Sequence, residues 1–223
     1  MLGMAIGYVV KLHNINMGCI MSKARTQKQR RETAISAVLE SACALFGELG
    51  YQAASLEQIA DRAGMTIRPI YHYFGNKEKL FLAVVEQVEQ QLHRAMRDIQ
   101  TGRQGEDLGQ YWEVFMRFGR DRHFRQIVLV DAPVVLGRER WADSPVVQQV
   151  IAILLPLFPG LLPQTRHLLA QMAIAALTEV AMCLAEPGNE GKERAFEEIS
   201  GLIRMRLGST LSHSAGDAFS RLL

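Results

Sequence analysis

Residues 55–74 read SLEQIADRAGMTIRPIYHYF. Ser55 has the side chain of a helix N-cap, so a short helix follows over Leu56–Ala63. Gly64 ends that helix because glycine accepts positive φ without steric cost. Thr66 is placed to cap a second helix running from Thr66 to Tyr73. Two short helices joined by a tight turn cross steeply, and the crossing needs a small residue, which Ala60 supplies. Ile70 is the apolar residue of the second helix that points back at the first, and Ile59, Ala63 and Met65 complete the seam. Alanine, glycine and isoleucine at this spacing mark a helix-turn-helix, although other small helical hairpins share it.

The helical pattern extends in both directions. Upstream, Ile35, Val38, Ala42, Leu45, Phe46 and Leu49 fall on one face, and Gly50 closes the helix. Downstream, a helix from Lys77 to about Gln100 carries Leu80, Val84, Val88, Leu92 and Met96 along one side. Thr101–Gly105 reads as a loop. A helix over Glu106–Arg120 turns Leu108, Trp112, Phe115 and either Phe118 or Gly119 inward. Another holds Phe124, Ile127 and Val128 and ends near Pro133. Ser144-Pro145, a cap followed by proline at the first helical position, starts one that runs to about Leu155. A long apolar helix covers about Gln164–Ala185, and a last one about Glu190–Leu207.

Sustained period-two alternation occurs nowhere, so the fold class is all-α. It has an N-terminal three-helix unit holding the helix-turn-helix and a C-terminal helical bundle, about nine helices in total. Residues 1–25 read as a disordered N-terminal extension, 26–80 as the helix-turn-helix domain, 81–208 as a helical ligand-binding and dimerisation domain, and 209–223 as a flexible tail.

The chain of 223 residues has a net charge of +2, so overall charge says little about partners. Its distribution says more. Lys23, Arg25, Lys28, Arg30 and Arg31 form a basic arm before the first helix, suited to phosphate contact or, equally, to a solvated tail. Three cysteines, Cys19, Cys43 and Cys183, without a C-x-x-C spacing suggest neither a disulfide framework nor zinc. We expect a reduced, cytoplasmic protein with no metal and no cofactor. The opening MLGMAIGYVV is far shorter than the roughly 20 apolar residues of a membrane helix and lacks signal-peptide features. Met17 or Met21 is an alternative start. No nucleophile elbow, phosphate-cradling loop or carboxylate pair points to an enzyme.

The run FGELGYQAASLEQIADRAGMTIRPIYHYFGNKEKLF, residues 46–81, resembles the N-terminal domain of the TetR family of bacterial regulators. The resemblance rests on I-A-x-x-A-G combined with Y-x-Y-F-x-x-K-E-x-L and covers roughly Glu32–Val85. DAPVVLGRERW, 131–141, is similar to a stretch in some members. The resemblance implies double-stranded DNA as partner, with Arg31, Thr33, Ser55, Thr66, Ile67, Arg68, Pro69, Tyr71, Tyr73 and Lys77 at the interface. The chain departs from the family at Ala54, where a threonine hydroxyl is common, and at Arg68 and Pro69, where small or hydroxyl residues are common.

Arg68 fits a guanine edge, a phosphate or solvent. Ile67 and Pro69 fit a thymine methyl or sugar, or local packing of a crowded turn. Tyr71 fits a phosphate or a core position with a surface hydroxyl. The resemblance further implies a homodimer through the last two helices and a pocket for a small, hydrophobic effector. Tyr111, Trp112, Phe115, Met116, Phe118, Phe124, Val128 and Trp141 are its candidate lining, or plain core. The expected function is a ligand-responsive repressor on a palindromic operator. The alternative is a helical ligand-binding protein that has lost specific DNA binding.

Overall fold

The computed structural model describes residues 26–99, 107–137, 140, 144–155 and 160–184, with 191, 192, 194, 198 and 201 beyond them. The expected N-terminal extension, the 101–105 loop, Trp141, the Leu108 side chain and the C-terminal tail lie outside these residues. So does most of the expected last helix, whose described positions are helical.

Helix α1, Gln27–Ala53, begins at Thr26. The Thr26 hydroxyl accepts the Gln29 N–H, and the Gln29 side-chain carbonyl accepts the Thr26 N–H. This reciprocal box satisfies two donors that a helix start leaves open. Helix α1 therefore begins inside the basic run, and Lys28, Arg30 and Arg31 lie exposed on its first turns rather than on an arm before it. Val38, Ala42, Leu45 and Phe46 are buried as their spacing predicts, whereas Leu49 is 46% exposed. Gly50, at φ 80°, breaks the helical path. By length and composition α1 qualifies as a membrane span, but its apolar face is part of the core.

Helix α2, Leu56–Arg62, and α3, Arg68–Phe74, form the hairpin. Ile59, Ala60 and Ile70 close its seam with 2% exposure or less. Gly64 makes the turn at φ 67°. The second helix begins two residues later than expected. Thr66 does not cap it; the cap position is Ile67, without a side-chain hydrogen bond, because Pro69 in the first turn presets the backbone instead.

Helix α4, Lys77–Arg97, buries Leu80, Val84, Val88, Leu92 and Met96, together with Phe81 and Val85. Glu89 joins the same stripe at 1% exposure. The Arg140 guanidinium meets its carboxylate with two bonds of 2.6 and 2.7 Å. Such forked pairing compensates the desolvation of both ions and pins the connection before α8 to the middle of α4.

Helices α5, Asp107–Arg120, and α6, Arg122–Phe124, meet at Asp121, whose carboxylate accepts the His123 and Phe124 N–H groups. A π-helical segment, Arg125–Asp131, follows and runs directly into α7, Ala132–Val135. The helix expected to stop near Pro133 therefore continues past it. Pro133 sits near the junction of the π segment and α7, where it lacks the N–H that a continuous helix would donate to the preceding turn. Helix α8, Pro145–Leu154, starts at Ser144, whose hydroxyl accepts the Val147 N–H. Helix α9, Pro163–Leu184, packs on α5 so closely that a Cβ at Gly119 would lie 2.8 Å from that of Ala181.

Candidate nucleic-acid interface

The hairpin turns its apolar residues inward and leaves polar and aromatic ones outside. On α3, Ile70 is fully buried, while Arg68, Tyr71 and His72 are exposed. Tyr71 is 52% exposed, which removes the core reading of that side chain. Ile67 and Phe74 are half-buried against the core, and Pro69 is half-buried. Phe74 is thus a rim residue of the core rather than its centre.

The start of α1 lies beside the end of α3. The Arg31 guanidinium sits 5.8 Å from the centre of the Tyr73 ring, and the His72 ring stands 5.2 Å from that of Tyr73. Lys28, Arg30 and Arg31 occupy the positive end of the α1 dipole, where cations are each disfavoured by about 0.3–1 kcal/mol. Lys28 recovers a little through Glu32 at 3.9 Å. Cations held in an unfavourable place beside the half-buried Tyr73 and on the side of the exposed Arg68 are suited to an anionic partner.

Three of the expected contact residues are already engaged. The Thr33 hydroxyl donates to the Gln29 carbonyl at 2.8 Å. Ser55 forms a second capping box: its hydroxyl accepts the Gln58 N–H and its own N–H donates to the Gln58 side chain. Its amide is therefore not available to a phosphate, but its hydroxyl proton is. The pattern S-x-x-Q carries that signal in the sequence. Lys77, in the first turn of α4, leans back: its Nζ donates to the Gln52 carbonyl at 3.3 Å and lies 4.5 Å from the centre of the Tyr51 ring. Burial lowers the Lys77 pKa from its ordinary value, and the Asp131 carboxylate opposes that shift. Ala54, where a hydroxyl is common, is buried at the end of α1.

Two family models cover most of the described chain. "Bacterial regulatory proteins, tetR family" matches residues 38–84, and "Tetracyclin repressor-like, C-terminal domain" matches 106–206. The chain belongs to the TetR family. Among curated TetR-type relatives, the HTH-type transcriptional repressor NicS of Pseudomonas putida is 33% identical over 73 residues, 33% of this chain and 34% of that protein. The HTH-type transcriptional regulator RutR of Escherichia coli K12 is 36% identical over 63 residues, 26% of this chain and 30% of RutR. The matched segments thus span about a third of the relatives' length.

Solved TetR-like structures follow nearly the whole fold. A TetR-family transcriptional regulator from Pectobacterium atrosepticum superposes with a TM-score of 0.61 at 24% identity, covering 81% of this chain and 95% of that one. The fatty acid degradation regulator FadR of Bacillus halodurans gives 0.61 at 18%, covering 83% and 96%.

In the second half of this TetR-family chain, a groove of about 770 Å³ opens between the π segment, α7, α8 and α9. Val128, Leu129, Val130, Val134, Val147 and Ile174 make it apolar, and Gln171, Thr178 and Glu179 add polar groups from α9. Of the eight residues expected to line a pocket, Val128 is on its wall. Phe115, Met116 and Phe124 are core, and Phe124 makes edge contacts with Phe115 and Phe118 at 6.4 and 5.5 Å. Tyr111, Trp112 and Phe118 pack half-buried against that core. Aromatic residues at helical spacing filled the space between α5 and the π segment, whereas the groove is walled by aliphatics that periodicity cannot single out.

Proposed function

We propose that this chain is a homodimeric DNA-binding transcriptional regulator whose hold on a palindromic operator is weakened by a small apolar effector. One observation carries the reading: α3 buries Ile70 and presents Arg68 and Tyr71 outward, with the half-buried Tyr73 beside the Arg31 guanidinium of α1. The α3 helix lies in the major groove, with Arg68 near its N-terminus directed at base edges and Tyr71, Tyr73 and Arg31 at phosphates. Thr33, Ser55, Thr66 and Lys77 flank them at the backbone, and Ile67 and Pro69 supply the apolar surface. Selection from a random DNA pool is expected to return an inverted repeat. Affinity for it falls with salt at a slope of about −0.9 for each phosphate contacted. Recovery of no preferred sequence would sink the proposal.

Arg68→Ala is expected to lower operator affinity by about 1–3 kcal/mol and to relax selectivity at one base position of each half-site. A uniform loss across all sequences places Arg68 on phosphate instead.

The engaged states of Lys77, Thr33 and Ser55 favour one alternative, a helical ligand-binding protein that no longer reads DNA. A flat salt dependence distinguishes it.

Leu168, Met172 and Ala176 are exposed apolar residues along α9. They are the α9 contribution to a dimer interface that the last helix shares. The groove against the π segment is the effector site, its aliphatic walls fitting an apolar molecule and its α9 polar groups orienting it.

A further inference from the structure

The π-helical segment Arg125–Asp131 has two faces in use. On one, Val128, Leu129 and Val130 wall the groove, and Val134, just beyond on α7, is 80% exposed at its lip. On the other, the segment and α6 dock on the end of α1. Asp131 Oδ2 accepts the Tyr51 N–H at 2.7 Å. The Arg122 guanidinium donates to the Glu48 carbonyl at 3.2 Å. The His123 ring lies so near Gly47 that a Cβ there would stand 2.4 Å from it. A Cβ on Gly50 would likewise crowd the Gln126 amide at 3.2 Å. Gly50, at φ 80°, ends the helical path, and the Tyr51 N–H beyond it is bonded to Asp131.

Tyr51 in turn ties the end of α1, from which the hairpin leaves, to α4. Its ring stacks on Phe46 at 5.9 Å and meets Phe81 at 4.9 Å, and the Lys77 ammonium lies over it. A continuous path therefore runs from the groove wall through Asp131 and Tyr51 to Lys77 at the start of α4. Steps along it are hydrogen bonds or packed rings rather than loose contacts.

π turns close their hydrogen bonds over one residue more than α turns and are frequent at functional sites. Returning this segment to α geometry shifts its register by one residue, which rotates the following side chain by about 100°. That rotation takes Asp131 off the Tyr51 amide.

We propose that the π segment is the device coupling occupancy of the groove to the helix-turn-helix, with Asp131 as its contact on the DNA-reading side. The inference rests on the reading of the chain as a ligand-responsive DNA binder. Packing a molecule against Val128–Val130 favours a register in which the Asp131–Tyr51 bond is lost. Only the differential affinity for the two registers is transmitted.

A tethered probe tests this without a known effector. Val134→Cys, in a full-length chain with Cys19, Cys43 and Cys183 replaced by alanine, is labelled with benzyl methanethiosulfonate, placing a benzyl group at the groove. Labelling is expected to weaken binding to the selected operator about tenfold, within the usual range of allosteric coupling, and to speed amide exchange at Tyr51. In an Asp131→Ala background, labelled and unlabelled chains bind operator alike. Asp131→Asn, which keeps an acceptor oxygen, retains part of the difference. Equal weakening in both backgrounds, or an unchanged Tyr51 amide and operator affinity on labelling, overturns the proposal. If no operator is ever selected, the DNA-binding reading fails on its own, and the Tyr51 exchange rate alone decides the coupling.

Discussion

Replacing Phe81 by alanine is expected to lower stability by about 3–5 kcal/mol. Phe81 is fully buried on α4 and meets the Phe46 ring edge-on at 5.1 Å and the Tyr51 ring at 4.9 Å. Truncation removes its transfer free energy and both ring contacts, and leaves a cavity that α1 and α4, each more than 20 residues long, cannot collapse around. For a chain of this size the midpoint of thermal unfolding should fall by roughly 6–20 °C. Calorimetry checks it, with Phe81→Leu as the control that keeps most of the volume and loses much less. A fall of a degree or two for Phe81→Ala would mean that α1 is not fastened to α4 through this cluster.

The double substitution Leu168→Glu with Met172→Glu is expected to abolish dimers and reduce operator affinity by about 10²–10⁴-fold. That is the range by which two linked reading heads exceed one. Both side chains are more than half exposed on α9, so the change costs the protomer little fold stability. In a two-fold interface it sets four carboxylates against apolar partners, and their desolvation is not repaid. Sedimentation and operator titration read the two effects, with unchanged helical circular dichroism showing the fold intact. Persistence of the dimer would move the interface elsewhere.

The two experiments separate two requirements of the proposed function. Phe81 concerns whether α1, which leads into the hairpin, is held to α4, and the α9 stripe concerns whether two hairpins are held to each other. The coupling through Asp131 acts on the first of these joints. It is a small change in geometry at Tyr51, not an unfolding, so it leaves the Phe81 cluster in place.

Much of this was legible in residue order. The spacing of Val38, Ala42, Leu45 and Phe46, and of Leu80, Val84, Val88, Leu92 and Met96, marked the buried faces of α1 and α4. Ala60, Gly64 and Ile70 marked the hairpin. Ser55 and Ser144 marked two helix starts. These are local properties: helical periodicity, capping and turn chemistry involve residues within a few positions of one another. Glu89 shows where such reasoning stops. It stands at a core position of the α4 stripe, but its partner Arg140 is 51 positions away. Nothing local says that the carboxylate is paired rather than solvated.

The sequence by itself determined an all-helical chain with a helix-turn-helix whose seam is Ala60, Gly64 and Ile70, and left Tyr71 open between the core and the surface. Only the tertiary structure decided where the remaining groups point. It turned Lys77 back onto Gln52 and Tyr51, committed the Ser55 amide to Gln58 and sent the aromatics of α5 into the core. It also put the groove along an aliphatic wall and joined Asp131 to the Tyr51 amide across 80 positions. The reason is physical. Periodicity specifies which face of a helix is buried, whereas a partner distant in sequence is specified only when the packed helices bring two such faces together.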